Sequence, residues 1–198
     1  MSEIRITEKP EEISWETIRS ILQQAHKIHH DAGIVMYVST LSAEELENRV
    51  RKNNGKCYVA FYGDQVVGTA SYIHRAINRW YYKGDICEQT MVAVLPSFQG
   101  RHIATELTKV LEEELQRQGI PAVCFDTVEQ NTGKIEMELR NRYRLVDYHF
   151  NNGHYSVEMM KWLDMCPFSE RYCKMRYLLK KTKVRMKHTL RPNLERIR

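Results

Sequence analysis

The stretch Met91-Val92-Ala93-Val94-Leu95-Pro96-Ser97-Phe98-Gln99-Gly100-Arg101-His102-Ile103-Ala104-Thr105 constrains this chain more than any other. An apolar run closed by a proline meets a short polar turn. The turn opens onto Ile103–Gln118, where Ile103, Leu107, Val110, Leu111 and Leu115 fall on one helical face. Gly119 stands just past that helix and Pro121 beyond it, the usual stop signals. The first turn of such a helix carries N–H groups without intrahelical partners and a partial positive charge. Small residues there let an anion approach the backbone, and Arg101 adds a formal charge. Physics alone makes this an anion site. An ordinary strand-to-helix turn is the other reading of the same residues.

The remaining periodicities build a sheet with helices around this unit. Ile4–Thr7 alternates like an edge strand. Trp15, Ile18, Ile21, Leu22, Ala25 and Ile28 form one helical stripe, with Ser14 as its N-cap. Ser42 and Glu45 make a capping box with Leu41 and Leu46 as a staple, and that helix ends at Asn53-Asn54-Gly55. Cys57–Tyr62 and Val66–Ile73 read as a hairpin, Arg75–Asp85 as a polar and aromatic loop, and Ile86–Val94 as a further strand. Ala122–Thr127 is an apolar strand and Asn131–Arg142 a helix. Leu145–Phe150 and His154–Trp162 close the order as a hairpin across Asn151-Asn152-Gly153. The fold class is α/β (α+β), a mixed central sheet flanked by helices. A body at residues 1–163 is expected to be followed by a basic extension at 164–198, helical in part.

Composition narrows the class. A chain of 198 residues with 42% hydrophobic and 28% charged residues lies in the ordinary range for a globular domain. No run of about 18 apolar residues predicts a spanning helix, and Met1–Lys9 has no apolar block of the signal-peptide kind. A cytoplasmic location is expected. Five scattered cysteines without a C-x-x-C read as reduced core thiols, three of them inside apolar strand-like runs. From Asp164 onward, 11 Lys/Arg stand against 3 Asp/Glu. That +8 exceeds the whole chain's +5 and leaves Met1–Leu163 at −3. A basic tail on a mildly acidic body points to an anionic partner.

Val92-Ala93-Val94-Leu95-Pro96, followed by Gln99-Gly100-Arg101-His102-Ile103-Ala104, resembles the GNAT N-acetyltransferases. Their pattern is apolar-x-Val-x-Pro, then Gln/Arg-x-x-Gly-x-Gly/Ala, then a helix; Phe98 stands where an aromatic is common. The element order over Ile4–Leu163 is also similar. The resemblance implies acetyl-CoA as co-substrate. Its pyrophosphate would lie at Gln99, Gly100, Arg101, His102, Ile103, Ala104 and Thr105. Its pantetheine arm would run along the backbone of Val92 and Val94, where the sheet splays open. Asn131 stands where the family's next helix meets the cofactor, or it is a plain N-cap. His102 departs from the pattern by replacing a glycine. Its side chain would either crowd the pyrophosphate or donate to it, and a diphosphate nearby would favour its charged form.

Acetyl transfer to an amine needs a base or water path for the proton and an N–H for the oxyanion. Glu88 is the base that the resemblance implies. Strand alternation puts Glu88, Thr90, Val92 and Val94 on one face; a strand-end carboxylate in solvent is the alternative. The family's acid, a Tyr ahead of Gly-Phe, has no match. Counting from Asn131 reaches Glu138, and Tyr143 is the nearest tyrosine. A thiolate leaving group needs little help at neutral pH. No cysteine argues for an acyl-enzyme, so direct attack in a ternary complex is expected.

His26, His29, His30 and Asp31 cluster on the first helix, but a third metal ligand is missing, so no metal site is expected. An acceptor-site role suits the cluster better. Arg75, Arg79, Trp80, Tyr81 and Tyr82 read either as an acceptor-binding loop or as an exposed one. In the tail, Tyr172, Met175, Leu178 and Leu179 make a short stripe. Lys180, Lys181, Lys183, Arg185, Lys187 and Arg191 make it polycationic. An anionic membrane surface, nucleic acid or plain solvation would each suit it, and the lack of interleaved aromatics disfavours nucleic acid. A peripheral membrane location would follow from the first reading, and a homodimer is compatible with the body. The acceptor is an unidentified small-molecule or protein amine. The alternative function is a non-catalytic CoA-binding or membrane- or nucleic-acid-associating module, and transfer of a longer acyl chain is a third.

Overall fold

A computed structural model describes residues 4–151 and 153–190, so Asn152 of the last turn and Arg191 of the tail lie outside the described residues. These residues form seven strands and five α-helices, an α/β chain as the periodicities predict. Backbone contacts divide the chain between Val123 and Cys124 into two compact units.

In the first unit, β1 (Ile4–Glu8), β2 (Lys56–Tyr62), β3 (Gln65–Asn78) and β4 (Lys83–Val94) lie side by side in chain order, each antiparallel to the next. The helices are α1 (Trp15–Asp31), α2 (Ala43–Lys52) and α3 (Ile103–Arg117). Their caps are those the residues dictate. Ser14 Oγ accepts from the Thr17 N–H at 3.2 Å, and Ser42 and Glu45 close a reciprocal capping box. The α1 stripe buries Ile18, Ile21 and Leu22, but Ile28 points to solvent and His26 is buried in its stead. On α3, Ile103, Leu107, Leu111 and Leu115 are buried, each contributing roughly 2 kcal/mol. Gly68 lets α3 come close: a Cβ there would lie 3.2 Å from both the Ala93 carbonyl and Leu107 Cδ1.

One sequence expectation is corrected here. Arg75–Asp85 is mostly strand, and the connection is only residues 79–82, closed by Arg79 N–H donating to the Tyr82 carbonyl at 2.8 Å. Cross-strand pairing through Asn78↔Lys83 satisfies the backbone of a polar segment that local composition marks as loop. Tyr81, expected in an exposed loop or acceptor site, is buried.

In the second unit, β5 (Ala122–Val128), β7 (His154–Trp162) and β6 (Arg144–Asn151) lie in that spatial order, with helices α4 (Thr132–Arg140) and α5 (Glu170–Leu190). The tail's apolar stripe faces away from its own unit. Tyr172, Met175, Leu178 and Leu179 are exposed, and Cys173 and Tyr177 are buried instead. The reason is a polar latch. Lys181 Nζ and Arg185 Nη2 both hold the Glu129 carboxylate, the latter at 2.7 Å. The Tyr148 hydroxyl donates to the same carboxylate at 2.6 Å, and Tyr177 meets the Tyr148 ring edge-on at 5.8 Å. His188 packs on Phe150 at 4.1 Å and hydrogen-bonds the Tyr155 hydroxyl at 3.0 Å. These contacts rotate α5 so that the latch side faces β6. No described helix is long and apolar enough to cross a membrane.

Burial works against the charged form of Glu129, but the bonds from Lys181, Tyr148 and Arg185 outweigh it and hold the carboxyl down to about 2, against an ordinary 4.5. An acid depressed in this way stabilises the fold above its unfolded value and loses that contribution as pH falls toward the folded one. The stability advantage of the native chain over Glu129→Gln should therefore be constant above about pH 5 and shrink between about pH 5 and 2. Urea denaturation at a series of pH values measures it, and a gap that does not narrow in acid would show that the latch is not ionic.

Candidate active site

The site is built at the end of β4. Gln89 Nε2 donates to Thr108 Oγ1 on α3 at 3.1 Å, a buried bond that fixes the helix against the strand. Leu95 N–H then bonds the Val67 carbonyl, and Pro96–Phe98 makes a single 3₁₀ turn. Gln99 folds back, its Nε2 donating to the Val94 carbonyl at 3.1 Å, so this side chain braces the turn. Gly100 takes φ +77° and His102 φ +62°, ψ +9°. The first intrahelical bond of α3 is Glu106 N–H to the His102 carbonyl, so the N–H groups of Ile103, Ala104 and Thr105 precede the helical ladder. Residues 99–102 are exposed.

Two aromatic rings support the one cation here. Tyr62 and Phe98 lie 5.4 Å apart, and the Arg101 guanidinium sits 5.1 Å above Phe98 and 5.9 Å from Tyr62. Arg101 forms no ion pair among the described residues. The turn thus offers free N–H donors, a helix N-terminus and an uncompensated guanidinium in one exposed place, an arrangement suited to a phosphate.

His102 occupies the left-handed region, which explains the glycine in the family's pattern at this position. A side chain there costs on the order of 1 kcal/mol, less for His than for a branched residue. Its ring makes no capping bond.

The strand alternation expected for Glu88 fails at a β-bulge. Met91 has φ +54°, and the register shifts so that Thr69 pairs Ala93 while Ser71 pairs Thr90. Met91 and Val92 together oppose the one residue between those partners. Glu88, Thr90 and Ala93 therefore share a face, and Val92 and Val94 lie on the other. No glycine marks this bulge, so nothing local betrays it.

Glu88 is no solvent carboxylate either. Arg49 Nη2 on α2 reaches Oε1 at 2.9 Å and Arg75 Nη1 on β3 reaches Oε2 at 2.8 Å, and the side chain is 16% exposed. Arg75, read from sequence as part of a loop, is thus a strand residue clamping Glu88. Arg49 lies 39 positions away, and no periodicity could have joined it to the site.

In the second unit, Asn131 stands at the N-cap of α4 but makes no side-chain cap bond; its Nδ2 donates instead to Thr127 Oγ1 at 3.2 Å. Tyr143 precedes β6, is buried, and meets Phe125 edge-on at 5.4 Å. Lys134 covers the Phe125 ring at 4.9 Å and pairs with Glu138, which is fully buried and also accepts from Asn141 Nδ2 at 3.2 Å. Glu138 could be picked out in the sequence only as a mismatch.

The histidine cluster does not converge. His30 Nε2 bonds Ser39 Oγ at 2.8 Å, Lys27 pairs with Asp31, and no group of three possible metal ligands occurs among the described residues. Cys57, Cys87, Cys124 and Cys173 are buried free thiols and Cys166 is half-buried; burial pushes the Cys87 thiol up to about 12.

A bulged strand, a braced turn and an open helix N-terminus with an arginine beside it make a site suited to an anionic group. The sequence model of the Acetyltransferase (GNAT) family matches residues 15–138, and the chain belongs to that family. No curated protein matches it. Among solved structures, an N-acetyltransferase from Staphylococcus aureus Mu50 is similar at 18% identity and TM-score 0.65, over 82% of this chain and 100% of that one. The ribosomal-protein-S18-alanine N-acetyltransferase from Escherichia coli is similar at 13% identity and TM-score 0.64, over 82% and 96%. The PaiA N-acetyltransferase from Thermoplasma acidophilum, solved in complex with coenzyme A, is similar at 18% identity and TM-score 0.59, over 79% and 98%. At these identities the likeness is one of fold.

Replacing His102 with Gly relieves the left-handed strain but loosens the unfolded chain, for a net stabilisation of up to about 1 kcal/mol. His102→Val should instead destabilise by about 1–2 kcal/mol. The urea midpoints of the two variants measure the difference. Equal midpoints would mean that residue 102 leaves the left-handed region in solution.

Proposed function

We propose that this chain transfers an acetyl group from acetyl-CoA to a primary amine, by direct attack in a ternary complex. The observation that carries the reading is the open N-terminus of α3, with its free N–H groups and the unpaired Arg101, in a chain of the GNAT family. The backbone of Gly100, His102, Ile103, Ala104 and Thr105 would hold the pyrophosphate with Arg101, while Gln99 keeps the turn in shape. The bulge frees strand backbone at Met91–Val92 from the β3 ladder, which suits hydrogen bonds from Val92 and Val94 to the pantetheine arm. Asn131, whose amide is not spent on capping, is the cofactor contact proposed on α4.

In the reaction the amine nitrogen forms its bond to the thioester carbonyl carbon, the C–S bond breaks, and the nitrogen gives up a proton. Glu88 is the proposed acceptor of that proton. Each of its oxygens already receives a guanidinium, so a water held on a remaining lone pair is the route the geometry favours. Tyr143 is the proposed donor to the leaving thiolate. A second reading, cofactor binding without transfer, is favoured by the two guanidiniums on Glu88 and by His102 in a glycine position.

Arg101→Ala should weaken acetyl-CoA binding about tenfold with little change in stability, read by calorimetry and thermal melting. Unchanged affinity would remove Arg101 from the phosphate site. Glu88→Gln should lower turnover about 100-fold and flatten the pH–rate profile while leaving cofactor affinity intact. Tight binding with no turnover by the native chain on any amine would favour the second reading.

A further inference from the structure

The side of α5 turned away from its latch carries a second, unpartnered apolar face. Met175, Leu178, Leu179 and Met186 are each half or more exposed, and Tyr172 continues the line, stacked on Phe168 at 5.6 Å. Leu178, Leu179, Thr182, Lys183 and Met186 form a shallow groove along it. At about 100° per residue, Leu178 to Tyr172 spans an arc of roughly 120° opposite the buried Cys173 and Tyr177. Arg171 lies within the arc, Lys174 borders it on the latch side, and Arg176, Lys183 and Lys187 border it on the other. Glu170 is the only acid on the helix. Arg171, Lys174 and Lys183 form no ion pair among the described residues.

We propose that this face of α5 docks onto an anionic membrane surface, lying in the interface with the latch side still bound to its own unit. Charge complementarity selects the occupant. A second copy of the helix would bring cationic borders against cationic borders on both sides of the seam, and Glu170 alone could not offset them. Nucleic acid would neutralise the borders but leave the Met and Leu side chains against a charged backbone. An acidic partner helix would match the charge. A coiled-coil seam, however, is narrower than this arc, since Leu178 lies outside the Met175, Leu179, Thr182, Met186 line. A lipid interface accommodates the full width. Its acyl boundary takes the apolar ridge, and its headgroups meet the Lys and Arg heads, whose stems reach outward from either border. The latch on Glu129 keeps the helix formed before binding, so docking avoids the ordering cost that a free amphipathic peptide meets.

Flotation of the full chain with phosphatidylcholine vesicles containing about 30% phosphatidylserine tests this against vesicles of phosphatidylcholine alone. Binding should be about tenfold or more tighter to the anionic vesicles and should fall as salt rises from about 0.05 M to about 0.3 M. Two double variants alter exposed positions only: Leu179→Gln with Met186→Gln, and Lys174→Glu with Lys183→Glu. Each should keep the native circular dichroism spectrum and lose about tenfold in binding. Equal partition onto both vesicle types, or full binding by either variant, overturns the proposal. So does a dimer in sedimentation equilibrium that the Leu179/Met186 variant abolishes without vesicle binding by the native chain.

Discussion

The antiparallel pairing of β3 and β4 is the constraint on which the first unit depends. It extends from Asn78↔Lys83 to Gly68↔Val94 and turns a polar, aromatic segment into strand. It also contains the bulge at Met91. Because side chains alternate with a period of two, one inserted residue reverses every face assignment beyond it. Before the bulge, Glu88 looks toward Arg49 on α2 and Gln89 toward Thr108 on α3; beyond it, Val92 and Val94 lie on the face away from Glu88. The Gln89 bond and the close approach at Gly68 set α3 on the sheet, and with it the place where the helix N-terminus opens.

The chemistry of the turn follows from that placement. A helix N-terminus attracts anions wherever it occurs. This one also has Arg101 lying over Phe98 and Tyr62 with no carboxylate paired to it among the described residues, and Gln99 tied back to the Val94 carbonyl. Glu88 presents the opposite situation, an acid held by two guanidiniums. Its orientation is fixed on both oxygens, which restricts the directions from which a proton could reach it.

The second unit is organised around a different interaction, the convergence of Lys181, Arg185 and Tyr148 on Glu129. Three donors on one carboxylate, together with the buried Cys173 and Tyr177, fix the rotation of α5 about its axis. With the latch side, Cys173 and Tyr177 turned inward, Tyr172, Met175, Leu178 and Leu179 are left on the exposed side. A surface is thereby left that the fold does not use.

Local signals carried most of the architecture. Ser14, the Ser42–Glu45 box, the four-residue spacing of Leu107, Leu111 and Leu115, and Gly119 act within a few positions of themselves, so their effects could be read without the fold. The glycine-like demand at residue 102 was legible as a departure from the family's pattern, though its left-handed backbone was not. What the sequence by itself determined is the order of strands and helices, the family, and the strand–turn–helix that presents free N–H groups. The tertiary structure alone decided the bulge at Met91, the two arginines on Glu88 and the outward rotation of α5. Each of those arises from partners 13 or more residues apart, and the contact energy of such partners leaves no trace in any local period.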